Sequence, residues 1–180
     1  MMTANKMAAL CVSALAIGVQ EGRPAAAEVL SAAANGFEVR ESLHVAAPPD
    51  KVYSALLQPA KWWASDHTFS GSAANLSLDA RAGGCWCETL PDGGSVEHMR
   101  VVYVAPGKTL RLRGALGPFQ GSGVDGAMTW SVKAAASGTD ISFNYALGGY
   151  AKDGLEGLSK VADRVLGEQL ERLGKLIDGR

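Results

Sequence analysis

The sequence predicts an α+β fold, a curved antiparallel sheet of six to seven strands wrapped around one long C-terminal helix, with two short helices after the first strand. Three observations predict it. Residues 153–178 carry Leu155, Leu158, Ala162, Val165, Leu166, Leu170, Leu173 and Ile177 three or four positions apart, which lines one face of a helix. Upstream, short segments place apolar side chains at alternate positions and are cut apart by Gly and Pro. A helical stripe this long needs a broad apolar partner, and a sheet bent around it supplies one.

The chain opens on a leader. Lys6 precedes an apolar run at 7–19, short of the roughly 20 residues a membrane span needs. Such a run matches a secretory signal. Ala25, Ala26 and Ala27 form a small-residue site, with cleavage expected after Ala27; Ala32-Ala33-Ala34 is a second option. The expected organisation is a signal peptide at 1–27, a flexible mature N-terminus at 28–36, and one domain at 37–178. The expected location is periplasmic or secreted. No later stretch is long and apolar enough to span a membrane.

Strand one is expected at 37–45, where Phe37, Val39, Leu43 and Val45 alternate with polar residues. Pro48 and Pro49 punctuate it, and Val52, Tyr53, Leu56 and Leu57 give a short amphipathic helix that Pro59 ends or kinks. Lys61-Trp62-Trp63 suits a second helical turn. A polar loop follows at 65–74, then strands at 75–81, 85–90, 96–105 and 109–113, with Pro91-Asp92-Gly93-Gly94 as a hairpin turn. The glycine-rich stretch 114–126 reads as an irregular loop that could cover a pocket mouth. It lacks the Lys-Ser/Thr ending of a phosphate-binding loop and joins two strands. Strands at 127–134 and 139–147 precede the last helix, for which Asp153 is the expected N-cap and Gly179 the expected stop. No internal repeat or second domain is visible.

Seventeen Lys and Arg against eighteen Asp and Glu, a net charge of -1, are scattered without a basic run, so there is no nucleic-acid footprint. Cys11 falls in the leader, which leaves Cys85 and Cys87. Two apart on a strand, they point to one face with Cα atoms about 6.5–7 Å apart, the upper edge for a disulfide. Packed or free thiols, a readily reduced bridge, and a metal shared with His98 are the alternatives. Glu88, His98 and Arg100 lie on paired strands, either facing the helix together or forming a cross-strand ion pair in solvent. Facing inward, Glu88 and Arg100 would orient a carboxylate or hydroxyl, and Glu88 or His98 would be the general base of any enzyme. Trp62, Trp63, Trp86 and Trp130 are candidate cavity walls, with Phe119, Tyr145 and Tyr150. No metal site, cofactor motif or catalytic triad spacing is present, and oligomeric state is not written in the sequence.

This arrangement resembles the START-like, helix-grip superfamily, also called SRPBCC, which includes polyketide cyclase/dehydrase-like proteins. The resemblance is closer to bacterial homologues of the ATPase activator of the 90-kDa heat-shock chaperone. It rests on Ala47-Pro48-Pro49-Asp50-Lys51-Val52-Tyr53, Lys61-Trp62-Trp63, Gly83-Gly84-Cys85-Trp86-Cys87-Glu88, Val101-Val102-Tyr103-Val104-Ala105-Pro106 and the C-terminal helix. The resemblance implies a deep pocket between sheet and helix that holds a lipid-, aromatic- or polyketide-like molecule. The reading is therefore an exported binder of a small hydrophobic molecule, with a cyclase or dehydratase and a chaperone-interaction module as alternatives.

Overall fold

A computed structural model describes residues 26–179; most of the expected leader lies outside them. One antiparallel sheet of eight strands forms the body, in the order β1-β2-β8-β7-β6-β5-β4-β3. The strands are β1 (Ala26–Ala33), β2 (Gly36–Val45), β3 (Leu76–Leu78), β4 (Cys85–Thr89), β5 (Ser95–Ala105), β6 (Thr109–Arg113), β7 (Gly123–Ala135) and β8 (Gly138–Tyr150). Helices α1 (Pro49–Leu56) and α2 (Pro59–Trp62) follow β2, and α3 (Ser159–Asp178) closes the chain. Helix α3 packs against β2, β1, α1 and α2. The expected helix-grip architecture is present with one strand more than expected. No helix of the described residues is long and apolar enough to cross a membrane.

The extra strand is β1. Residues 28–36, expected to be flexible, instead lie mostly in β1 and pair with β2 from Ala26 opposite Ser42 to Ala33 opposite Gly36. Backbone pairing along an otherwise open sheet edge outweighs the weak side-chain pattern of this alanine-rich segment.

Helix α3 starts five residues later than expected, with Leu158 rather than Asp153 at its N-cap. Gly154 takes a left-handed φ of 75°, Glu156–Leu158 form a 3-10 turn, and Asp153 caps nothing. The Leu155 N–H donates to the Ala34 carbonyl at 2.9 Å, which ties this turn to the β1–β2 connection. Gly179 ends the helix in the left-handed region, as its position predicts. The buried face holds Ala162, Leu166, Leu170, Leu173 and Ile177, whereas Leu158 is exposed and Gln169 is buried. Gln169 earns its place by accepting the Ala64 N–H at 2.8 Å through Oε1.

Two glycines let α3 lie close to β2. A Cβ at Gly174 would meet Leu43 Cδ2 at 2.4 Å, and one at Gly167 would meet Glu41 Oε2 at 3.2 Å. Glycine costs a helix interior about 1 kcal/mol relative to Ala, and close helix–sheet packing offsets it here.

Part of the glycine-rich stretch is regular structure. Gly123–Gly126 belong to β7, and Gly117–Gly121 form a 3-10 turn. Glycine breaks a strand by local rules, yet here Gly123 and Gly126 lie within one. At position 126 glycine serves packing, since a Cβ would lie 2.8 Å from Tyr145 Cε2 and 2.9 Å from two carbonyl oxygens.

Candidate functional site

The site is built where α2, β4, β5 and β7 converge. Trp62 and Trp63 arrive from α2 and its end, Trp86 from β4 and Trp130 from β7, and all four are buried. Their ring centroids lie 4.8 Å (Trp63–Trp86), 5.5 Å (Trp62–Trp63), 6.1 Å (Trp62–Trp130) and 6.2 Å (Trp62–Trp86) apart. Edge-to-face and tilted contacts dominate, the arrangement aromatic quadrupoles favour.

Three of the indole N–H groups have partners. Trp62 donates to the Leu56 carbonyl at 3.3 Å, Trp63 to the His67 carbonyl at 2.9 Å and Trp130 to Met128 Sδ at 3.1 Å. Trp86 Nε1 is buried without one. An unpaired buried donor costs about 1–3 kcal/mol, and this one sits in an otherwise apolar wall.

The space beside it is small. A cavity of about 10 Å³, room for a single water, is lined by Leu56, Pro59, Trp62, Leu78, Trp86, Leu110, Leu112 and Trp130. None of these residues comes from α3. The gap therefore lies beneath α1 and α2, away from the expected place between the sheet and the C-terminal helix. A second, open groove of about 470 Å³ runs past Pro49, Gly107, Lys108, Thr109 and Ser131 to Ala134 on the outside.

Glu88 and His98 do come together. The His98 Nε2 to Glu88 Oε2 distance is 2.9 Å, and both side chains are buried. His98 faces inward because of a register shift. Trp86 pairs with Met99 and Cys87 with Glu97, which leaves His98 as an extra residue in β5. A bulge of this kind turns consecutive residues to one side, and His98 and Met99 are both buried. Strict alternation could not predict that.

The same bulge separates Arg100 from the pair. Arg100 lies on the outer face, exposed, bonded to the Gly83 carbonyl at 3.1 Å and paired with Glu97. Val101 is fully buried and Val102 exposed, the reverse of the inward Val102 that would have brought Arg100 inside. The expected Glu88–Arg100 clamp therefore does not form.

Glu88 also ties down the loop at 65–75. Its carboxylate accepts the Phe69 N–H at 3.1 Å and the Ser70 N–H at 2.5 Å. Burial alone would raise this carboxyl, but hydrogen bonds from Ser70, Phe69 and His98 outweigh it and hold the group below the usual carboxylate range. His98 is lowered by burial, which outweighs the hydrogen bond and charge of Glu88. Near neutrality the pair is a carboxylate and a neutral imidazole. An ionised carboxylate only accepts, so Nε2 carries the proton and Nδ1 is the basic nitrogen. The exposed Phe69 ring lies 5.9 Å from the imidazole and the Trp86 ring 6.3 Å from it.

The remaining expected residues lie elsewhere. Tyr145 is buried, and its hydroxyl accepts the Leu116 N–H at 3.1 Å, pinning the start of the glycine-rich connection. Burial pushes its phenol up to about 12. Phe119 is half-buried and packs on Phe37 at 5.8 Å. Tyr150 is exposed. Cys85 and Cys87 form a disulfide on the outer face of β4, with Cα atoms 5.4 Å apart. His98 points the other way, so a metal shared among them has no geometric basis. No group of three or more His, Cys, Asp or Glu residues suited to a metal occurs among the described residues.

One buried group had only a weak signal in the sequence. Glu41 sits at an inward position of β2, between Val39 and Leu43, and is completely buried beneath α3 near Gly167. Neither of its carboxyl oxygens has a hydrogen-bond donor. Burial, then Asp163, then Glu171, raise it from 4.5 to about 8. A lone acid at an inward parity was the available clue.

A family model described as polyketide cyclase / dehydrase and lipid transport matches residues 36–178. Among solved structures, an uncharacterized protein from Rhizobium leguminosarum is similar with a TM-score of 0.59 at 18% identity, over 87% of this chain and 99% of that one. Protein MLL2253 from Mesorhizobium loti is similar with a TM-score of 0.57 at 20% identity, over 79% and 97%. CalU16 from Micromonospora echinospora is similar with a TM-score of 0.55 at 18% identity, over 87% and 85%. At these identities the likeness shows the fold. No curated protein matches in sequence.

Proposed function

This chain belongs to the polyketide cyclase/dehydrase and lipid transport family, and we propose that it is an exported protein that binds a small, mainly apolar molecule against its tryptophan cluster. The observation that carries the reading is the buried Trp86 N–H without a partner, in a wall of aromatic rings that lines a small cavity beneath α1 and α2. A flat or lipid-like molecule with one acceptor would satisfy that donor and replace ring–ring contact with ligand contact. At about 10 Å³ the cavity holds no such molecule as it stands. Binding therefore requires α2 and the loop at 65–75 to move outward. Glu88 supplies that loop's attachment through Phe69 and Ser70. Apolar burial would supply affinity at about 25 cal/mol per Å² before association costs.

Export rests on the leader read from the sequence. Cleavage after Ala27 leaves six residues of β1, from Glu28 to Ala33, to pair with β2, whereas cleavage after Ala34 would strip β1 from the sheet. Retention of six β1 residues supports the first site.

The test is intact mass spectrometry of protein purified from its native host, with solvent extraction of anything retained. Titration of the emptied protein with fatty acids and flat aromatic molecules follows, read by tryptophan fluorescence. The expected result is a retained apolar molecule, saturable quenching, and affinity about fivefold weaker in Trp86→Phe, the loss of one hydrogen bond of about 1 kcal/mol. A bare chain together with no saturable change across both ligand classes would overturn the proposal.

A second reading is favoured by the His98–Glu88 pair. Nδ1 of a neutral His98 could take a proton from an enolisable substrate, as in a cyclase or dehydratase. Glu88 is poorly suited to that task, since its three hydrogen bonds hold it as a weak base. Turnover abolished in His98→Ala, with binding retained, would favour this reading over simple binding.

A further inference from the structure

We propose that Cys85 and Cys87 form a thiol–disulfide exchange site, in which Cys85 is the leaving thiolate and Cys87 the sulfur attacked by a partner dithiol. The bridge closes a loop of only three residues, so it constrains the unfolded chain less than any longer loop would. A structural role accordingly explains little of it. Both cysteines are partly exposed on the outer face of β4, close to the sheet edge formed by the three-residue strand β3. Neither cysteine is buried, so a second molecule can reach this face of β4.

The flanking charges make the two sulfurs unequal. Cys85 lies directly opposite Arg100, and Cys87 opposite Glu97. Directly opposed residues have Cβ atoms about 4.5–5.5 Å apart. The Arg100 guanidinium, held by the Gly83 carbonyl and by Glu97, favours a thiolate at Cys85; the Glu97 carboxylate disfavours one at Cys87. A better-stabilised thiolate leaves faster.

The exchange balances as follows. A thiolate of the partner dithiol attacks Cys87 Sγ; the bond between the two cysteine sulfurs breaks, and its electron pair leaves on Cys85. The partner's second thiolate then attacks the partner sulfur of the mixed disulfide and releases Cys87. The partner is oxidised to a disulfide, the chain is reduced to a dithiol, and the partner's two protons end on Cys85 and Cys87. Reduction also reaches the interior. The Cα atoms of positions 85 and 87 stand 5.4 Å apart when bridged, against about 6.5–7 Å in an extended strand. Between them lies Trp86, whose ring packs 4.8 Å from that of Trp63.

The experiment uses the full chain carrying Cys11→Ser, so that only this pair of cysteines reports. Native protein is equilibrated with reduced and oxidised glutathione at set ratios, quenched in acid, alkylated and weighed. The expected result is a bridge in air-oxidised protein that glutathione opens without denaturant, with a change in tryptophan fluorescence over the same ratios. In single-cysteine variants at pH 7, Cys85 in Cys87→Ser should alkylate about threefold faster than Cys87 in Cys85→Ser, since a more populated thiolate is also a weaker nucleophile. Two free thiols in oxidised protein, or a bridge that opens only after urea unfolds the chain, would overturn the exchange site. Equal alkylation rates would overturn the assignment of Cys85. The glutathione titration needs no variant at the bridge, so a misfolded single-cysteine chain leaves the main result standing.

Discussion

Replacing Glu41 with glutamine should stabilise this protein in alkaline but not in acid solution. Glu41 is wholly buried between β2 and α3, and its nearest charged neighbours, Asp163 and Glu171, are also acidic. A carboxylate can only accept hydrogen bonds, so an ionised Glu41 beside Asp163 lacks a donor. The fold therefore holds the proton, and the Glu41 carboxyl rises from 4.5 to about 8. Below 4.5 it is protonated in both the folded and unfolded chain, and its contribution to stability is fully present. Between 4.5 and about 8 the unfolded chain releases a proton that the folded chain keeps, so rising pH weakens the fold. At about 1.4 kcal/mol per unit, the loss across that window is on the order of 5 kcal/mol. Glutamine keeps the shape, stays neutral and offers Asp163 an N–H. Urea unfolding of both proteins at pH 4.5, 6 and 8 should show near-equal stability in acid and an advantage for Glu41→Gln of on the order of 4 kcal/mol at pH 8. A difference between the two that does not vary with pH would refute the reasoning.

Other perturbations read the site and the sheet. Glu88→Gln leaves one acceptor where two backbone N–H groups and His98 now converge, and should cost about 1–3 kcal/mol. Faster hydrogen exchange at the Phe69 and Ser70 amides is the expected signature, and unchanged exchange would separate Glu88 from the loop. Because burial lowers His98 below 6.5, its contribution to stability is complete above 6.5 and is lost as pH falls beneath it, a slope that His98→Phe should remove from the acid limb of a pH–stability curve. Gly126→Ala should cost about 1–3 kcal/mol or more, since the new methyl meets the Tyr145 ring and two carbonyl oxygens that cannot yield. Gly121→Ala, with nothing within 4 Å of the added carbon, is its control in a thermal melt.

Elements with a clear period were legible from the residues alone. The stripe from Ala162 to Ile177, the alternation of β2, β6 and β8, the paired prolines before α1 and the glycine stop after α3 each reflect a local rule, and the architecture follows from adding them. The acid pair beneath α3 was half legible, as a single glutamate at an inward parity. The partner on α3 is more than a hundred residues away, and no local rule connects them.

What the sequence determined by itself was therefore the class of fold and the residue types available to a site: four tryptophans, one Glu and one His on neighbouring strands, and two cysteines on one strand face. The tertiary structure alone decided which of these meet. A single extra residue in β5 turned His98 inward toward Glu88 and left Arg100 outside, and the rings of Trp62 and Trp63 packed against Trp86 of β4 and Trp130 of β7. Strand register and side-chain volume are properties of pairs of segments. They are settled only when distant parts of the chain touch.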